Sequence, residues 1–162
     1  MRLKLAAYIA SEYWWIDKYD YVEDFYEGFS QVRLNSKWGL VNTKGEEVVP
    51  PKYDYVGDFH DGFAAVSLNG EWGIVNTDGK EFIPLKYDVV RDFDNGLAAV
   101  KLNGRWGFID TKGEEFIPLM YNEKECRQLK ALVDTGEYEG TKEEQYNQAH
   151  EEFQIWKKEN KP

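Results

Sequence analysis

The side chains able to do acid–base or metal chemistry are few. Two histidines, His60 and His150, and one cysteine, Cys126, occur in 162 residues. A histidine–cysteine metal site lacks ligands on that count. A cysteine nucleophile needs a histidine base, and none is near Cys126 in sequence. No phosphate-binding glycine loop is present; the glycines mark turns. The carboxylates raise a better question. Asp24, Asp58 and Asp92 recur in phase, as do Glu47, Glu81 and Glu115. Such a stripe would suit Ca²⁺ or a basic partner. The simpler reading is structural: an Asp in a turn accepts backbone N–H bonds. A glycosidase needs one carboxylate pair, and a set repeated three times argues instead for structure. The expectation is therefore no catalytic residue, no cofactor, no metal and no enzyme activity.

The residues that position these groups follow a repeat. Trp38-Gly39, Trp72-Gly73 and Trp106-Gly107 recur at a spacing of 34. Aligning residues 19–52, 53–86 and 87–120 leaves 15 of 34 positions identical in all three copies. In the middle copy these include Tyr53, Asp54, Asp58, Phe59, Gly62, Trp72, Gly73, Gly79, Glu81 and Pro84. Tyr121-Asn122 looks like the first step of a fourth copy that is not completed. Trp14 to Lys18 occupies the place of a preceding copy's last strand, without its proline.

Each copy reads as strands. Phe63–Leu68 and Glu71–Asn76 are apolar-rich runs joined by Asn69-Gly70, a pair suited to a type I′ turn with φ > 0 at both positions. Asn103-Gly104 repeats it, whereas Asn35-Ser36 departs, so the first hairpin should be strained or looser. With that turn, Ser67 opposes Trp72 and Val66 opposes Gly73. The small residues Ser67 and Ala65 then leave room for the Trp72 indole, making it the expected best-packed repeat tryptophan. Arg33 and Lys101 oppose Trp38 and Trp106, where their stems can cover the rings. The gap at Gly73 should admit a ring or backbone from a neighbouring copy. Pro84 should end its strand. A 34-residue period also suits a helical tetratricopeptide array. Here three shared glycines, a proline and apolar runs of only four to six residues rule against it.

From Glu123 the pattern becomes helical. Leu129, Leu132 and Val133 have helical spacing, and Gly136 can end that segment. Thr141 with Glu144 fits a capping box. Tyr146, Ala149, Phe153 and Trp156 then form one apolar stripe. This helix should close the open end of the array, as repeat proteins require; the alternative is a helix offered to a partner.

The motif Trp-Gly-apolar-apolar-Asn/Asp-Thr-x-Gly-x-Glu, followed by apolar-Pro and Tyr-Asp, resembles the WG β-repeat family of bacterial proteins. The resemblance covers about residues 14–121. It implies a mainly β array of three hairpin repeats with no established enzymatic activity and a supposed interaction role. It brings no catalytic residues. The expected organisation is an N-terminal cap or partial repeat at 1–18, repeats over 19–121, and a helical tail at 122–162.

Composition narrows the partner. The net charge of −10 disfavours nucleic acid and permits a basic protein. No run of about 18 apolar residues exists to span a membrane. Met1–Ala10 faintly resembles a signal peptide, but its apolar stretch is short. A single cysteine suits a reducing compartment, so a cytoplasmic location is expected. The shared residues have structural explanations: Trp38, Trp72 and Trp106 pack, and Gly39, Gly73 and Gly107 shape the backbone. A partner should therefore read what varies, namely Tyr26-Glu27, His60-Asp61 and Asp94-Asn95, with Glu23, Gly57 and Arg91 just before them. The Trp14-Trp15 pair competes as a binding site. A protein-interaction module is the leading reading. A small acidic inhibitor or immunity-type protein, and a glycan or cell-surface binder using aromatic rings, stand as alternatives.

Overall fold

A computed structural model describes residues 13–160 except Asn95 and Gly136. The signal-like stretch Met1–Ala10 and the expected helix stop at Gly136 lie outside the described residues. The chain divides between Lys86 and Tyr87 into two compact units.

Three four-stranded sheets are present among the described residues, one per repeat. The first contains β1 (Tyr21–Val22), β2 (Phe29–Leu34), β3 (Lys37–Asn42) and β4 (Glu47–Tyr53). The second contains β5 (Tyr55–Val56), β6 (Phe63–Leu68), β7 (Glu71–Asn76) and β8 (Glu81–Tyr87). The third contains β9 (Val89–Val90), β10 (Leu97–Leu102), β11 (Arg105–Asp110) and β12 (Glu115–Tyr121). Strands follow one another in order within each sheet, as short turns dictate.

The central hairpin has the expected register: Leu68 opposes Glu71, Ser67 opposes Trp72, and Val66 opposes Gly73. Asn69 and Gly70 have φ of 54° and 84°, the type I′ signature. The first hairpin makes the same turn, with Asn35 at 50° and Ser36 at 65°. It is thus strained and not looser, because a Cβ in the left-handed region crowds its own backbone. A different shared aspartate, that of Tyr-Asp, serves this turn. Asp20 and Asp54 accept the Asn35 and Asn69 backbone N–H, each at 2.7 Å. Asp58 instead accepts the Gln31 side-chain amide at 2.8 Å. The second turn is organised by Asn42, Asn76 or Asp110, whose Oδ1 accepts two backbone N–H groups. Asn and Asp interchange there because only the acceptor oxygen is used.

The glycine of Trp-Gly answers to its own copy, not to a neighbour. Trp38 pairs with Tyr53 and Leu40 with Val49, so three residues of β4 stand opposite Gly39 alone. This bulge carries Pro50 and brings its backbone over the glycine. A Cβ on Gly39 would lie 2.4 Å from the Val49 carbonyl oxygen. On Gly73 and Gly107 it would lie 2.5 Å from those of Ile83 and Ile117. Pro84 accordingly sits inside β8, where the bulge frees it from ladder donation, and does not end the strand.

The N-terminal segment turns as a short 3₁₀ helix, Ile16–Lys18, where a strand was expected. Trp15 nevertheless occupies the repeat position of Val49 and is buried to 1 % exposure. Its indole packs where a Cβ on Gly45 would fall, 2.1 Å from Trp15 Cγ. With Tyr19, Val32 and Val41 it forms the core of the first sheet. The second core joins the first two sheets through Leu40, Val49, Tyr53, Val56, Phe59 and Val66.

In the second unit Tyr121 ends β12, and Asn122 caps a helix, so the fourth copy breaks off after its first step as expected. Asn122 and Glu125 form a capping box opening α1 (Glu123–Asp134), and Thr141 with Glu144 opens α2 (Lys142–Glu159). Leu129 and Val133 of α1, with Tyr146, Ala149 and Phe153 of α2, bury against Trp106, Phe108, Ile117 and Tyr121.

The tryptophans therefore rank differently from expectation. Trp106 is buried, with Arg91 and Lys101 over its ring at 5.0 and 5.8 Å. Trp72 is half-buried beside Tyr55, with ring centroids 5.3 Å apart. Small opposite residues leave the ring room but give it little cover. Trp106→Ala should cost about 3–5 kcal/mol, and Trp72→Ala about half that, in denaturant melts. Ser36→Gly should raise stability by up to about 1 kcal/mol by relieving the left-handed Cβ. A lower midpoint for Ser36→Gly would contradict that account.

Candidate functional site

The copy-varying residues are held at hairpin tips. Isolated bridges join Tyr26 to Phe29 and His60 to Phe63, each closing a two-residue turn. Glu27-Gly28 has φ of 48° and 86°, and Asp61-Gly62 of 52° and 84°, so both tips are again type I′. The glycine supplies the left-handed second position, while the first points an acid outward. Stacking of the first two repeats sets these tips together: the rings of Tyr26 and His60 lie 5.8 Å apart. Glu27 and Asp61 are exposed beside them, and Tyr26 is nearly half exposed.

The other candidates separate. Asp94 has the corresponding bridge to Leu97 in the second unit, and Lys130 of α1 bonds its carboxylate at 3.0 Å. Asn95 lies outside the described residues. Arg91 covers Trp106. Gly57 is buried and donates its N–H to the Ala65 carbonyl. Trp14 is 74 % exposed, whereas Trp15 has no surface to offer.

Of the repeated carboxylates, Asp58, Glu47 and Glu81 are engaged within the fold. Glu47 accepts from Lys18 Nζ at 2.6 Å and from the Tyr19 hydroxyl at 2.9 Å. The Lys18 bond holds its carboxyl below the usual carboxylate range. Glu81 accepts from the Tyr53 hydroxyl at 3.2 Å. Among the described residues, no three His, Cys, Asp or Glu side chains converge as metal ligands do. A cavity of about 90 Å³ lies between the third sheet and α1. Its rim charges are paired internally, Arg127 with Glu123 and Lys130 with Asp94.

In the last copy helix α2 supplies what a carboxylate supplies earlier. The buried Tyr121 hydroxyl meets His150 Nδ1 and accepts from Gln154 Nε2 at 2.7 Å. Nδ1 accepts from the hydroxyl when the imidazole carries its own proton on Nε2. Sequence reading missed this role of His150, because nothing local marks a cap for a distant tyrosine.

The WG containing repeat family model matches residues 14–38, 38–72, 72–106 and 106–123. The chain belongs to the WG containing repeat family. The matches 38–72 and 72–106 run from tryptophan to tryptophan, so the family unit straddles the boundary between the sheets described above. No curated protein and no solved structure matches the chain. Among the described residues, no helix of this WG-repeat protein is long and apolar enough to cross a membrane.

Burial pushes the His150 imidazole below its ordinary 6.5. The unfolded chain then takes up a proton that the folded chain refuses. Stability should be complete above about pH 6.5 and fall as pH drops from there toward the lowered folded value. Wild type should therefore lose more melting temperature between about pH 7 and 5.5 than His150→Gln does. Equal losses in the two proteins would remove His150 from this role.

Proposed function

We propose that this WG-repeat chain is a non-enzymatic binding module that holds a protein partner on the row of hairpin tips Tyr26-Glu27 and His60-Asp61. The observation that carries the reading is their placement: two adjacent tips, with rings 5.8 Å apart and an exposed acid on each. Most shared residues are consumed by the scaffold: tryptophan under rings and cationic stems, glycine under the bulge, tyrosine on a carboxylate. What remains outward differs from copy to copy, as recognition of an asymmetric partner requires. The exposed acids and the net charge of −10 favour a basic protein. The same acidity supports the narrower version in which the chain blocks a basic site as an inhibitor. The cytoplasm remains the proposed location, on the single cysteine.

A glycan-platform reading has one observation in its favour, the bare indole of Trp14. One experiment separates the two. Partners captured from native extract by wild type should be lost with Tyr26→Ala/Glu27→Lys/Asp61→Asn at unchanged melting temperature. Asparagine tolerates the left-handed backbone at residue 61. Retained capture that fails only with Trp14→Ala would move the site to the platform.

A further inference from the structure

The shared phenylalanine of each repeat stands in a different setting in the first copy. Phe59 is 2 % exposed, and the ring of Phe29, from the preceding copy, lies 4.5 Å from it. Phe93 is 7 % exposed. Phe25 holds the same place, after the shared aspartate and before the hairpin tip, yet is 39 % exposed. Its ring meets the edge of Trp15 at 6.1 Å, a T-shaped contact that leaves a face open. A position built to lie beneath an apolar side chain is thus half bare in the first sheet.

The surroundings say what fits there. Trp14 and Ile16, on either side of Trp15, are exposed, as is Tyr26 next to Phe25. Residues 23–28 are exposed without interruption and include Glu23, Asp24 and Glu27, with no lysine or arginine among them. Lys18, nearby in sequence, is held by Glu47. A second copy of this chain would bring the same acids against these, which costs affinity. Opposite charge is favoured instead.

We infer that this end of the array docks a segment of a basic protein, resting on the reading of the adjacent hairpin tips as a binding row. An apolar side chain of the partner, aromatic for preference, lies on Phe25 as Phe29 lies on Phe59. Lysine or arginine on either side meets Glu23, Asp24 and Glu27. The ring contact supplies most of the affinity, and the rim charges supply orientation and speed of association.

The test uses the full ¹⁵N-labelled chain and a capped peptide, Lys-Phe-Lys-Ile-Lys. Matched peptides carry Glu for each Lys, or Ala for Phe. The expected result is saturable shift perturbation at residues 23–28 and at the Trp14 indole. Phe25→Ala should weaken binding about tenfold, as loss of a central ring contact does. Glu23→Gln/Asp24→Asn should weaken it several-fold, and the acidic peptide should not bind. Phe25→Leu, with its bulk retained, guards against a folding defect and should bind within a few-fold of wild type. No perturbation at about 1 mM basic peptide, a limit corresponding to very weak association, overturns the inference. So does binding indifferent to Phe25, or a dimer in sedimentation that Phe25→Ala dissolves. If the peptide fails while partner capture still depends on Tyr26, Glu27 and Asp61, the hairpin-tip reading stands and this inference alone falls.

Discussion

The close passage of a bulged strand over the glycine of Trp-Gly is the constraint on which the rest of the architecture depends. In each copy a Cβ there would come within 2.5 Å of a carbonyl oxygen, a contact no rotamer can relieve because the backbone supplies both atoms. The bulge it permits places proline harmlessly within the strand and returns the ladder to register one residue before, opposite tryptophan. Trp38 thereby faces Tyr53, and Trp106 faces Tyr121. The tyrosine is buried but keeps its hydroxyl within reach of whatever packs next.

That hydroxyl shows how the array is joined and closed. In the first unit Tyr53 at the end of the first sheet reaches Glu81 of the second, and Tyr19 reaches Glu47. A buried phenol without an acceptor would be costly, and the carboxylates of Glu47 and Glu81 meet that demand. At Tyr121 the successor is a helix, and His150 with Gln154 meets the demand. At the other end Trp15, on a 3₁₀ turn, fills the position that a strand valine or isoleucine holds elsewhere. Terminal elements need only match the volume and hydrogen bonding of a repeat, not its secondary structure.

A scaffold that spends most of its shared residues in this way carries its differences at the hairpin tips. The first positions of the hairpin tips tolerate any side chain able to bear a left-handed backbone, and there Glu27 and Asp61 differ. Variation is structurally cheap at such tips, while the following glycine keeps their direction constant. The surface at these tips can therefore change without disturbing the core.

The repeat period, the strand boundaries of the central hairpin, its register and the capping box at Thr141 were all legible in the sequence. Each depends on local rules: alternation, turn chemistry and capping act over a few residues. The candidate tips were legible as variable positions, but not their pairing, since the approach of Tyr26 to His60 depends on how successive sheets stack. The sequence reading took Pro84 for a strand end because a bulge cannot be seen without its partner strand. It ranked Trp72 above Trp106 because opposite residues were visible and the helices covering Trp106 were not. Phe25 and Phe59 each follow the shared aspartate and precede a hairpin tip. Only tertiary structure decided that one is covered and the other bare, because burial is set by a neighbour 30 residues away in the repeat and not by the residue itself.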